Sequence, residues 1–276
     1  MNHNPSGITA DIHALPDHAV LDITGPDALR FAQSQFMNDV TALAVGQWQW
    51  NGWLNPKGRL IALFALLRRD ADTLWLLLPD QSPGTLAEAL GTYVFRSKLK
   101  LRPRDDLHVS GIRVAPSADD SGRFTVDADG TVSLAWPGRR RVLISPSPIE
   151  AADADPHWYQ ADLRAGIPRI DAAQVGEWTP QQLSLERLQA YSVKKGCYPG
   201  QEIVARTHYL GQAKRGLRLL QADATPAAGS TVSDGERDIG QVIASADGLA
   251  LAVVALDAEP RTAGKATVRV RDFEAG

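Results

Sequence analysis

The chain has 276 residues, 44% of them hydrophobic and 22% charged, the make-up of a globular protein with enough length for two domains. Its 29 basic and 32 acidic residues leave a net charge of −3, which excludes coating of nucleic acid by bulk charge. A single cysteine, Cys197, excludes an internal disulfide and an all-cysteine metal site, and the longest apolar runs, residues 60–67 and 249–256, fall well short of the roughly 20 residues that cross a bilayer.

The chain opens on Met1-Asn2-His3-Asn4-Pro5-Ser6-Gly7, with no basic region followed by an apolar stretch, so a soluble cytoplasmic protein without a membrane partner is expected. Residues 20–24 read as a strand closed by Gly25-Pro26. Leu29, Ala32 and Phe36 then mark an amphipathic helix ending near Asn38-Asp39. Residues 47–53, 60–67 and 74–78 read as a three-stranded meander, with turns at Asn55-Pro56-Lys57-Gly58 and Asp70-Ala71-Asp72. Ser82-Pro83 starts a second helix. Arg96, Lys98, Lys100, Arg102 and Arg104 alternate along a further strand and give it one basic face. Strands follow at 108–114 and within 132–144, then a helix over 156–165 ending at Gly166. Acid collects at 119–129 and 150–155, and Arg139-Arg140-Arg141 reads as a solvated run. Beyond Gly211, short strands separated by Asp234-Gly235, Asp247-Gly248 and Ala263-Gly264 predict a small barrel. The fold class is therefore α+β with a C-terminal β-barrel, the boundary lying between Arg206 and Lys214.

There is no GxGxxG fingerprint, phosphate loop, HExxH or GxSxG, which lowers the case for NAD enzymes, NTPases, zinc hydrolases and α/β-hydrolases. The segment Lys194-Lys195-Gly196-Cys197-Tyr198-Pro199-Gly200-Gln201-Glu202 stands out. A helix over 200–206, with Ile203 and Val204 on its buried face, places Cys197 near a helix N-terminus beside two lysines. Those charges favour a thiolate. The residues alone leave two readings open: a reactive or ligand-contacting cysteine, or a small residue at a tight turn.

Lys195 to Glu202 resembles the KGC[FY]xGQE signature of the YgfZ family, relatives of the glycine cleavage system T-protein. Further likeness lies in Ala165-Gly166-Ile167-Pro168-Arg169-Ile170-Asp171, in Val204-Ala205-Arg206 continuing to Lys214-Arg215, in Ile23-Thr24-Gly25-Pro26-Asp27, in Asn38-Asp39-Val40 and in Pro56-Lys57-Gly58-Arg59. The resemblance implies a three-lobed ring. Residues 1–207 would form two interleaved, ferredoxin-like α+β lobes, a folate-binding T-protein-like region, and residues 208–276 the barrel. It also implies a channel for tetrahydrofolate or a one-carbon derivative. Trp158 and Tyr198 are candidates for its wall, Asn38, Glu202 and Arg206 for its polar contacts, and Cys197 for the chemistry. Relatives carry a tryptophan where His18 stands. T-proteins carry an acidic pair after the turn glycine, whereas Arg59-Leu60-Ile61-Ala62-Leu63 holds no acid, which argues against aminomethyltransferase activity. The function implied is support of iron–sulfur client enzymes, including a radical enzyme that thiolates tRNA, and thereby tRNA modification. Two alternatives stand beside it. One is a folate-dependent one-carbon transferase using Asp39 or Glu202. The other is a protein with a weak direct tRNA contact through the basic stripe and the Lys194–Arg218 patch.

Overall fold

The computed structural model describes residues 12–114, 122–149, 155–211 and 213–274. The opening heptapeptide and part of each acidic run lie outside the described residues.

Two five-stranded sheets and a closed barrel make up the β structure among the described residues. The first sheet contains β2 (His18–Thr24), β3 (Trp48–Leu54), β4 (Leu60–Arg68), β5 (Thr73–Pro79) and β6 (Lys100–Pro103), in the order β3-β4-β5-β2-β6. The second contains β1 (Ile12–Ala14), β7 (His108–Arg113), β8 (Phe124–Val126), β9 (Val132–Trp136) and β10 (Arg140–Ser145), in the order β1-β7-β10-β9-β8. Six strands close the barrel: β11 (Arg215–Ala222), β12 (Thr231–Ser233), β13 (Asp238–Ala246), β14 (Leu249–Ala255), β15 (Thr262–Ala263) and β16 (Ala266–Arg271). Four α-helices, α1 (Ala28–Gln35), α2 (Pro83–Gly91), α3 (Pro156–Arg164) and α4 (Gln201–Leu210), lie between them.

The continuous apolar runs follow from burial on both faces. In β4, Ala62, Phe64 and Leu66 join the core under α1 and α2, while Leu63, Ala65 and Leu67 face the opposite core. That second core is shared: the second sheet contributes Leu134 and Val142, α3 contributes Trp158 and Leu163, and the outer barrel face contributes Leu217 and Leu251. Strand β14 repeats the logic, with Ala250, Ala252 and Val254 filling the barrel and Leu249, Leu251 and Val253 turned toward the shared core. Side chains alternate across a strand, so a strand covered on both sides is apolar throughout.

Four local expectations are corrected. Helix α1 stops at Gln35, short of Asn38-Asp39, because Phe36 turns extended and its neighbour Asn38 is drawn to β3, where the Asn38 N–H donates to Asn51 Oδ1 at 2.9 Å. The basic strand covers only Lys100–Pro103: the Lys98 N–H is taken by Asp27 Oδ2 at 2.7 Å and the Arg104 guanidinium is held by Asp106, so Arg96, Lys98 and Arg104 lie outside it. Helix α4 runs a turn beyond residue 206, and Val204 is buried while Ile203 is 39% exposed. The Arg139-Arg140-Arg141 run is not solvated as a unit: Arg140 is 2% exposed and pairs with Asp162 at 2.7 Å, and the Arg141 Nε donates to Ser133 Oγ at 2.8 Å.

Candidate functional site

The signature segment leads into α4 and divides sharply by burial. Lys195 is 6% exposed, and its ammonium donates to the carbonyls of Gln33, Phe36 and Asn38. Gln33 lies in the last turn of α1 and Phe36 and Asn38 just beyond it, where helix carbonyls lack partners and a cation is favourable. Burial pulls the Lys195 pKa down to about 8. Tyr198 is buried beside it, 5.0 Å from the Lys195 nitrogen, and burial raises its phenol well above the ordinary value. Lys194 and Cys197 remain exposed. Gly200 adopts φ +77, and a Cβ there would stand 2.6 Å from the Gly58 Cα. The signature thus closes tightly onto the Asn55-Pro56-Lys57-Gly58 turn through two glycines.

A cleft of about 730 Å³ opens beside this segment. Trp48, Trp50 and Tyr191 give it aromatic walls, and Asn38, Asp39, Gln49 and Gln189 give it amides and a carboxylate; Ser192 to Lys194 close one side. The Asn38 amide is fixed, its Nδ2 donating to Trp50 O at 2.9 Å and to Gln189 O at 2.7 Å. Asp39 accepts from the Thr41 hydroxyl at 2.6 Å, and that bond above all lowers its pKa. At neutral pH it is an ionised acceptor.

Of the residues expected to form one pocket, Asn38 lines this cleft. Glu202 and Arg206 are exposed on α4. Glu202 sits in the first turn, where the helix dipole favours an acid. Trp158 is 3% exposed and packs edge-on where Gly111 leaves room; a Cβ on Gly111 would stand 2.4 Å from the indole. The Arg140 guanidinium covers its ring at 4.4 Å. Trp158 and Tyr198 are both buried. Neither is among the residues that line the cleft.

Sequence reasoning missed a buried ion network next to Trp158. Asp162, fully buried, accepts from Trp136 Nε1 at 3.0 Å, Arg140 at 2.7 Å and Arg169 at 2.8 Å. Arg169 also holds Asp80 through two hydrogen bonds. The two guanidiniums keep the Asp162 pKa low against the opposing effect of burial. This network ties the first sheet, the second sheet and α3 together. Its one outward signal was the Arg169 of the Ala165–Asp171 motif.

Comparison with known proteins agrees with this architecture. Residues 214–274 match the CAF17 C-terminal beta-barrel domain. The solved structure of glycine cleavage system aminomethyltransferase T from Bartonella henselae has the same fold, with TM-score 0.74 at 14% identity, over 95% of this chain and 84% of that one. The "tRNA-modifying protein YgfZ" of Cronobacter sakazakii is 30% identical over 75% of this chain and 70% of its own length. That of Klebsiella pneumoniae (strain 342) is 31% identical over 94% of this chain and 88% of its own length. With the signature intact from Lys195 to Glu202, the T-protein fold beneath it and this likeness along nearly the whole chain, the protein belongs to the YgfZ family.

Proposed function

We propose that the chain binds a reduced folate, tetrahydrofolate or a one-carbon derivative, in the cleft beside Asn38. With it, the chain supports iron–sulfur client enzymes, a tRNA-thiolating radical enzyme among them, and through them tRNA modification. One observation carries the reading: an aromatic-walled cleft and an exposed thiol share one segment, with Lys194 lining the cleft and Cys197 three residues on. A pterin ring calls for a flat apolar wall and an amide or carboxylate at its donor edge. Trp48 and Trp50 fit the first need, and Asn38, Gln49 and ionised Asp39 the second. Lys194 suits the carboxylates of the tail. Bound folate supplies a one-carbon unit; the chain's own residues orient the ring and keep Asp39 as an acceptor. Cys197 offers one soft sulfur ligand, which cannot hold a cluster alone and so fits transient contact with a client. Glu202 and Arg206, exposed on α4 beside it, then belong to the client-facing surface. The name of the Klebsiella relative, a tRNA-modifying protein, supports the tRNA context, and the aminomethyltransferase fold supports the folate ligand.

The test is an anaerobic titration of the protein with tetrahydrofolate and its 5-formyl and 5,10-methylene forms, followed by tryptophan fluorescence and heat. Saturable binding is expected, weakened about tenfold or more by Trp48→Ala. Cys197→Ser should leave binding intact and abolish support of the client. Absence of binding by all three forms refutes the folate reading.

A further inference from the structure

A second cleft, of about 600 Å³, lies between α3 and the turn joining β9 to β10, with no aromatic wall. His157, Gln160 and Arg164, spaced three and four apart, present one face of α3 to it. Arg113, Arg139 and Arg140 approach from the sheet, and Glu274 closes the far end.

The arginines differ in how fully they are engaged. Arg140 is buried and committed to Asp162 and to the Trp158 carbonyl. Arg113 binds Asp155 at 2.8 Å, yet its side chain is 54% exposed. Arg164 donates to Gln160 Oε1 at 3.3 Å and meets Glu274 only at 3.7 Å, both charged side chains being open to water. Arg139 is exposed at φ +57, a left-handed conformation that glycine adopts freely and arginine rarely. Its guanidinium makes no hydrogen bond or ion pair with a described residue. Among the described residues, four guanidiniums at the cleft face the carboxylates of Asp155, Asp162 and Glu274. Arg139 is thus the cleft guanidinium without a carboxylate partner among the described residues, while Asp247 stands behind Gln160, its carboxylate 2.7 Å from the amide. Glu274 is held close by its own N–H, which donates to Arg164 O at 2.9 Å, and by Phe273, which stacks under Arg187 at 3.7 Å.

We infer that this cleft binds a small, multiply charged oxyanion, a phosphoryl or polycarboxylate group, between Arg139, Arg164 and Arg113, with the Glu274 carboxylate as its internal competitor. Planar guanidinium forks suit both oxyanions. The inference is independent of the folate reading, which concerns other residues.

Isothermal titration of the full chain, at low salt in a buffer free of phosphate and carboxylate, tests it. Inorganic pyrophosphate is the probe in one arm and tri-γ-glutamate in the other, and the tighter arm identifies the chemistry. One-site binding is expected, weakened about tenfold by Arg139→Gly and tightened about threefold by Glu274→Gln. Arg139→Gly relaxes the left-handed turn, so this variant stays folded and its loss of affinity reports the guanidinium. Arg30→Gln, a surface control paired only with Asp27, should change nothing. Failure of both probes to bind overturns the inference. So does binding that Arg139→Gly and Glu274→Gln leave at the original strength.

Discussion

His18 gives the network around Asp162 a measurable signature. It begins β2, is 6% exposed, and neither ring nitrogen has a hydrogen-bond partner among the described residues. Burial first, then the charge of Arg169, lowers its pKa from 6.5 to about 3, against the opposing pull of Asp162. A base with a lower pKa folded than unfolded binds fewer protons in the folded state throughout that window. Stability is therefore complete above pH 6.5 and falls as pH drops toward 3. The loss from this one ring is about 2 kcal/mol between pH 7 and pH 5, and about 3 kcal/mol by pH 4. Urea unfolding of the wild type and His18→Leu at pH 7, 6 and 5 isolates it. The shared carboxylates cancel in the difference, and any packing offset from the leucine is constant with pH. The variant should gain about 2 kcal/mol on the wild type from pH 7 to pH 5. Parallel curves would refute the reasoning. A ring-proton titration with a midpoint near the ordinary histidine value in the folded protein would refute it as well.

Two further outcomes concern the signature segment. Lys195→Met strips the donor from three carbonyls at the C-terminal end of α1, so a loss of about 3 kcal/mol and a fall of roughly 10 °C in thermal midpoint are expected. A change under about 0.5 kcal/mol would mean that water replaces the ammonium. Gly200→Ala places a Cβ 2.6 Å from the Gly58 Cα at φ +77, which should cost about 2 kcal/mol and open the segment to limited proteolysis; unchanged protection would show that the turn can shift.

The sheets and the barrel were legible because their apolar runs answer to burial on two faces, as in β4 and β14. Strand β15, two residues long, carries no such pattern. The end of α1 was misplaced because Asn38 leaves the helix for partners at residues 50, 51 and 189, and periodicity cannot see that distance. The site was half legible. The signature marked the segment, but nothing in its order separates buried Lys195 and Tyr198 from exposed Lys194 and Cys197. Arg140 was read as solvated because charged triplets usually are. Its partner Asp162 is 22 residues on, and the pair is recognisable only once β10 and α3 meet. Trp48 and Trp50 alternate on β3 as core residues do, and only the fold shows that both line the cleft.

The family resemblance places tryptophans at two positions, 18 and 158, and the fold brings those positions to one place. His18 lies edge-on to Trp136 at 6.0 Å; Trp136 donates to Asp162; Asp162 holds Arg140; and Arg140 covers Trp158 at 4.4 Å. In this chain a neutral histidine occupies the first position, and Trp136 and a buried ion pair stand between it and the second. A charged network of this kind needs every donor and acceptor matched, and losing one member costs more than the pair contributes. Such a core is poorly suited to open and close around a ligand. The aromatic side chains that line the cleft beside Asn38 lie one step outward: half-buried Trp48 stacks on Trp136 at 6.3 Å, and Trp50, itself 6% exposed, approaches Trp136 at 4.8 Å. The network is then the rigid floor against which those two tryptophans are held. The proposed ligand site follows from that floor, since a wall that must accept a flat ring has to be in place before the ring arrives.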